Sequence, residues 1–350
     1  MLAIDRTAIL RVLSRDWLIH VCNNFLEDDP CAVAFLLSAC KMLFAFTGMR
    51  VNMKTRVQTD TRHFRLFVKS RRYDFRGVSL LMPDAPSLGP HFLTSVHSHD
   101  CGYLHTLDLC RNECLKELHA LSRCSGLHTL LLRACLELED VSDLSGCPSL
   151  HTLDLSLCNS LEDVSGLSGC PLLHTLDLSL CNLLENLSGL SGCPSLHTLD
   201  LGACFFLKDL SPLSTCGTLH TLNLAGCTVE DMSGLSGCTS LHTLCLRACM
   251  HLVDVSGLST CRSLHTLTLS LCRGLVNVNG LSSCRSLHTV DLSICSLLRD
   301  VSALSGCGSL RTLDISYCRS LRDVSSLSGL SSLRVLHTSS RWDSHTGLSL

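Results

Sequence analysis

Residues 150–172 read LHTLDLSLCNSLEDVSGLSGCPL, and the string Leu-His-Thr-Leu that opens them returns down about two thirds of the chain. Its first leucine stands at Leu104, Leu127, Leu150, Leu173, Leu196, Leu219, Leu241 and Leu264, with variants beginning at Leu287, Leu310 and Leu333. Every step is 23 residues except that from Leu219 to Leu241, which is 22. With the first leucine numbered zero, apolar residues or cysteine occupy positions 0, 3, 5, 8, 11, 14, 17 and 20. A period of this size marks a stacked-repeat architecture. One unit cannot bury its own apolar side, so stability belongs to the array.

Strand geometry assigns the faces. Successive side chains of an extended segment point to opposite sides. If Leu153 and Leu155 turn inward, then Thr152 and Asp154 turn outward, and the same holds for Thr175 and Asp177, and for Thr198 and Asp200. The parallel strands of successive units then form one concave sheet. The remaining residues of each unit, such as EDVSGLSGCPL, are rich in Ser and Gly and too short for a long helix plus two turns. They predict a convex side of 3-10 turns and extended pieces.

The opening pattern L-x-x-L-x-L-x-x-C resembles the leucine-rich repeat, a family that admits Asn or Cys at its last place. The first unit carries Asn112 where later units carry Cys135, Cys158 and Cys181, in keeping with that interchange. The 22-residue unit, with Cys227-Thr228-Val229 in place of C-x-x-L, resembles the short repeats of internalins and phosphatase-regulatory subunits. The resemblance implies an α/β solenoid: a horseshoe with a concave parallel β-sheet and a short 3-10 or extended convex side, preceded by a small helical N-terminal region. It also implies a non-enzymatic scaffold for protein–protein interaction.

Three columns of polar residues repeat with the unit. Cysteine recurs at position 8, from Cys135 to Cys318, and at position 20, from Cys101 to Cys307, where the last full unit has Leu330 instead. That replacement suits a buried free thiol acting as a small apolar filler. Zinc would prefer paired C-x-x-C spacings. Histidine fills position 1 from His105 to His288, and Arg311 and Arg334 follow. Such a column could pinch a metal or sense pH, or it is an exposed column copied by duplication; the arginines favour the latter. Aspartate or asparagine at position 13, as in Asp140, Asp163 and Asn186, suits turn capping. No Gly-rich phosphate loop, H-E-x-x-H or independent Ser-His-Asp set is present, so the sequence calls for no catalytic residues, cofactor or metal.

Position 4 faces the concavity and holds Asp108, Asp154, Asp177, Asp200, Asp291 and Asp314, interrupted by Leu131, Asn223, Cys245 and Thr268. Like charges one strand apart repel, so stability gives no reason to keep the row. With Thr152, Thr175 and Thr198 it predicts an acidic concave stripe for a locally basic protein partner. Phe205 and Phe206 offer an apolar anchor, or they pack the local turn.

The period is absent before Cys101. Residues 8–47 read as two apolar helices separated by an acidic-proline break at Glu27–Pro30. Leu18, His20, Val21, Phe25 and Leu26, then Asp28 or Asp29, then Ala39, Cys40 and Lys41 resemble an F-box, although the usual Leu-Pro lead-in is missing. That resemblance implies a substrate receptor of a ubiquitin ligase, with His20, Val21, Phe25, Leu26 and Cys40 meeting the adaptor. The alternative is a plain cap on the first repeat. The division is residues 1–60 helical, 61–100 a basic strand and Pro-rich connection, 101–340 the repeats (about ten full units), and 341–350 a tail.

Bulk properties narrow the classes. The 350 residues carry a net charge of only −3 and 46% hydrophobic residues, which argues against nucleic acid as the partner. Nine Lys or Arg in residues 50–76 read as a solvated strand. The 25 cysteines, an odd count, together with a start that lacks a secretory pattern, point to a cytoplasmic or nuclear protein with reduced thiols. An extracellular recognition receptor is the remaining alternative. The longest apolar stretch, Cys31–Phe46, is short for a membrane span and contains Lys41.

Overall fold

The computed structural model describes residues 78–81, 104–112 and 114–339. Within them a single parallel sheet of twelve strands runs in sequence order, with every strand beside its chain neighbours. The first two strands are β1 (Val78–Leu81) and β2 (Leu104–Asp108). Ten three-residue strands follow, from β3 (Thr129–Leu131) to β12 (Val335–His337). Identical repeat positions pair across the sheet: Thr152, Thr175 and Thr198 lie in one row, as do Leu153, Leu176 and Leu199. The shorter unit keeps the same register, because Thr221 pairs with Thr243. The deletion therefore falls outside the strand.

The strands from β3 to β11 alternate half-buried, buried, half-buried, which is the signature of one face on the core and one on solvent. The inward leucines, with those of positions 0, 11 and 17 and both cysteine columns, form one continuous hydrophobic core. The return side of each unit holds a 3-10 helix of three to five residues, such as Ser165–Gly169 and Ser188–Gly192. The expected convex side of 3-10 turns is therefore present. These turns pack backbone to backbone. A Cβ added at Gly166 would collide with the Val141 carbonyl, and one at Gly189 with that of Val164. The glycines let adjacent turns approach closely.

β1 lies inside the stretch read from sequence as a connection. It pairs with β2 through an irregularity between Val78 and Ser79, and so extends the sheet beyond the first full repeat. The apolar run Val78–Leu81 satisfies backbone groups that the first repeat would otherwise leave open. The solvated strand expected in residues 50–76, the N-terminal helices and the tail lie outside the described residues.

Candidate functional site

The outward face of the sheet carries three parallel columns at unit positions 1, 2 and 4, most often His, Thr and Asp. Along the first column, nine histidine rings from His105 to His288 form an unbroken stack. Ring centroids lie 4.6 to 4.8 Å apart from His105 to His265 and 4.0 Å apart at the last pair, with planes within 11° of parallel. The spacing is the strand repeat itself. The backbone beneath is stitched in register, as where the His151 N–H donates to the His128 carbonyl at 2.9 Å. Each ring from His105 to His265 has its Nδ1 3.1 to 3.4 Å from the hydroxyl of the following Thr. His288 instead points Nδ1 at the Ser286 carbonyl, 2.7 Å away. A carbonyl oxygen only accepts, so that ring carries its proton on Nδ1. Burial, and then the charge of His105, hold the pKa of His128 below the usual imidazole value, and His151 follows the same pattern with His128 as its neighbour.

The aspartates of position 4 stand on the same face, and the structure gives them a task that sequence reasoning missed. The Ser179 N–H donates to Asp177 Oδ1 at 2.8 Å, and the Gly202 N–H to Asp200 Oδ1 at 2.8 Å. Asp108, Asp154, Asp291 and Asp314 accept in the same way from the residue two ahead. Asn223 does so with its amide oxygen. The chain turns at this point through a left-handed residue, Leu157 at φ 64°, Leu180 at φ 62° or Gly226 at φ 76°. The carboxylate therefore caps a turn that non-glycine residues enter at a cost. This corrects the expectation that stability gives no reason for the row. The charges repel, but each side chain also closes a backbone hydrogen bond. Among the described residues no cation within ion-pair distance answers Asp154, Asp177 or Asp200, so their charge remains on the sheet face.

The cysteines also do more than fill space. Those of position 8, and of position 20 from Cys147 on, are buried, and their thiols donate to a carbonyl of the preceding unit: Cys181 to Leu155 at 3.2 Å, and Cys170 to Leu144 at 3.2 Å. Burial pushes the Cys181 thiol up to about 12 and that of Cys170 to about 11. The position-13 residues cap the 3-10 turns as expected. The Ser142 N–H donates to Asp140 Oδ1 at 2.7 Å, and the Ser188 N–H to Asn186 Oδ1 at 2.8 Å.

Phe205 and Phe206 are about half exposed, at 49% and 51%, so neither is absorbed by its turn. Leu183, Met250 and Leu297, at the same two places of other units, are also exposed apolar side chains. The sequence shows these only as non-repeating residues in a repeating frame. Thr152, Thr175 and Thr198 sit half-buried in the middle column. His20, Val21, Phe25, Leu26 and Cys40 lie outside the described residues, and among the described residues no helix is long and apolar enough to cross a membrane.

A family model described as "Leucine Rich repeats (2 copies)" matches residues 171–215. No curated protein sequence matches the chain. Among solved structures, the chain is similar to an internalin from Listeria monocytogenes at a TM-score of 0.53 and 22% identity, over 67% of this chain and 76% of that one. It is also similar to a chain of the mouse RP105/MD-1 complex at a TM-score of 0.55 and 23% identity, over 75% of this chain and 46% of that one. Identities at this level speak to the fold.

Proposed function

We propose that this chain, a leucine-rich-repeat protein, is a non-enzymatic scaffold that holds a locally basic protein partner against the concave sheet. The observation that carries the reading is the uncompensated carboxylate row Asp154, Asp177 and Asp200, on strands Thr152–Asp154, Thr175–Asp177 and Thr198–Asp200, beside the half-exposed Phe205 and Phe206. An aromatic anchor flanked by one sign of charge is the usual composition of a binding hot spot and its steering field. One solved structure with a similar fold is of a complex, mouse RP105/MD-1, which supports a binding role. Asp108 beyond Leu131, and Asp291 and Asp314 beyond Asn223, Cys245 and Thr268, hold the same position toward the two ends of the sheet.

The test replaces Asp154, Asp177 and Asp200 together by Asn and measures capture of partner proteins from lysate at low and high salt, alongside melting. Asn preserves the turn cap, as Asn223 shows. Capture should fall, and its salt dependence should vanish, while the fold holds. Unchanged capture would remove the row from the site.

The F-box-like order around His20, Val21, Phe25, Leu26 and Cys40 supplies a second reading, a ubiquitin-ligase substrate receptor. It is tested by binding of the full chain to the ligase adaptor subunit, with Phe25→Ala and Leu26→Ala as the paired loss variant.

A further inference from the structure

We propose that the convex flank of the array is the contact between two copies of this chain, which pair antiparallel so that the acidic half of each lies on the basic half of the other.

Charge is unevenly distributed along the stack. Residues 114–231 hold 14 Asp or Glu against 4 Lys or Arg, whereas residues 232–339 hold 5 against 9. The polarity is sharpest at unit position 12, which opens the convex side just after the buried leucine of position 11. Along the stack this place holds Glu162 and Glu185, then Lys208 and, in the 22-residue unit, Glu230. Val253 and Val276 follow, and then Arg299 and Arg322. All of these are exposed except Val276, which is half-buried. The backbone beneath is bonded from unit to unit: the Glu185 N–H donates to the Glu162 carbonyl at 3.1 Å, and the Arg299 N–H to that of Val276 at 3.0 Å. Such bonds set the spacing of the column near one strand repeat, about 4.8 Å. They also hold this side of the array near the pitch of the sheet side, which limits its curvature.

Antiparallel pairing satisfies this column, and parallel pairing does not. Parallel copies in register would set Glu162 against Glu162 and Arg322 against Arg322, and like charges repel. A two-fold axis between Glu230 and Val253 instead sets Glu162 against Arg322 of the second copy and Glu185 against its Arg299. By symmetry each of these pairs forms twice. In the same register Lys208 meets Val276 and Glu230 meets Val253, so no like charges face each other along the column. Val253, 52% exposed, is covered near the axis by the stem of a longer side chain. The charges are available for this use. Among the described residues none of Glu162, Glu185, Arg299 and Arg322 has an ion-pair partner. The two places that overhang the acidic end, Lys116 and Glu139, already pair with each other at 3.6 Å. The adjacent Asp163, Asp300 and Asp323 are turned to their own 3-10 turns, each accepting the N–H of the serine two ahead. Surface ion pairs are individually weak, so the contact is sensitive to salt. The sheet face stays open, and a dimer presents two such faces at once.

Sedimentation velocity on the full chain at low and high salt reads the association, with circular dichroism reported for every protein. Two variants each reverse one end of the column: Glu162→Arg with Glu185→Arg, and Arg299→Glu with Arg322→Glu. A third variant carries all four substitutions. Asp154, Asp177 and Asp200 are untouched throughout, so the outcome is independent of the concave-face reading. The wild type is expected to form a dimer at low salt that dissociates at high salt. Each two-site variant should associate about tenfold more weakly or worse. An equimolar mixture of the two, and the four-site variant alone, should recover the dimer, because both restore opposite charges across the axis. A folded wild type that stays monomeric at low salt would overturn the proposal and leave the flank to a different protein. So would a dimer that either reversal leaves intact, or a mixture of folded two-site variants that fails to associate.

Discussion

The Cys181 thiol donates to the carbonyl oxygen of Leu155, 3.2 Å away and 26 residues earlier. That carbonyl already accepts the backbone N–H of Cys158 at 3.1 Å. The thiol takes the second lone pair and so links two units through the core. The same link recurs from Cys204 to Leu178 and from Cys227 to Leu201, and on the other flank of the core from Cys193 to Leu167. Cysteine fits here because it is small, apolar enough to bury, and still a donor.

Native-state alkylation should therefore separate the thiols into two groups. Cys114, which is exposed, reacts first, whereas Cys158, Cys170, Cys181 and their column mates react only as the array opens. Replacing Cys181 by Ala removes a donor and leaves a small void, and should cost about 1–3 kcal/mol in denaturant unfolding. Column cysteines that label as fast as Cys114, or that are recovered as a ladder of disulfides, would contradict the assignment.

Turn packing on the convex side sets a second expectation. Gly189→Ala places a methyl group against the Val164 carbonyl, which is backbone and cannot step aside. Gly308→Ala meets nothing within 4 Å. The first substitution should lower the melting temperature sharply, by the equivalent of about 2 kcal/mol or more, and the second should stay within about 0.5 kcal/mol of wild type. Equal melting of the two variants would refute the close approach of the turns.

The histidine stack makes stability depend on pH with a definite sign. The pKa values of His128, His151, His197, His242 and His265 are depressed by burial and by neighbouring positive charge, so the unfolded chain binds protons more readily than the folded one. The array pays no protonation penalty above the ordinary imidazole pKa of 6.5 and loses stability as the pH falls through and below it. Melting should therefore fall between about pH 7.5 and about pH 5.5, before carboxylates titrate, and fall less in a variant with His128, His151, His197 and His242 replaced by Gln. A melting temperature flat over that window would show that the rings titrate freely.

Much of this architecture is legible in the sequence. The inward register of Leu153 and Leu155, the pairing of Thr152 with Thr175, and the 3-10 turns follow from a period of 2 inside a period of 23. The 22-residue unit even announces where a residue can be lost. What the period does not specify is how one unit's side chains meet the next. That the rings of His151 and His174 stack face to face, and that Cys181 finds the Leu155 carbonyl, depends on the translation between units, which is a property of the packed array. Asp177 shows a different gap. Its outward direction was readable, but its turn-capping bond depends on the left-handed residue Leu180, and a leucine gives no sign of that conformation.

The turn cap yields its own prediction. Asp177→Ala removes the acceptor for the Ser179 N–H and should cost about 0.5–2 kcal/mol, whereas Asp177→Asn should change stability by less than about 0.5 kcal/mol. The two substitutions also separate roles at the proposed interface, since both remove the charge and only Ala removes the cap. If Asn destabilises as much as Ala, the charge and not the hydrogen bond holds the turn.

The central claim is that the carboxylate row meets a basic protein. Zero-length carbodiimide coupling on captured complexes, followed by peptide mapping, reads this directly, because it joins a carboxylate only to an amine in contact with it. The account predicts couplings from Asp154, Asp177 or Asp200 to partner lysines, lost at high salt and absent from the triple Asn variant. Couplings confined to carboxylates of the convex side, such as Asp163 and Asp209, with none on the sheet face, would contradict it.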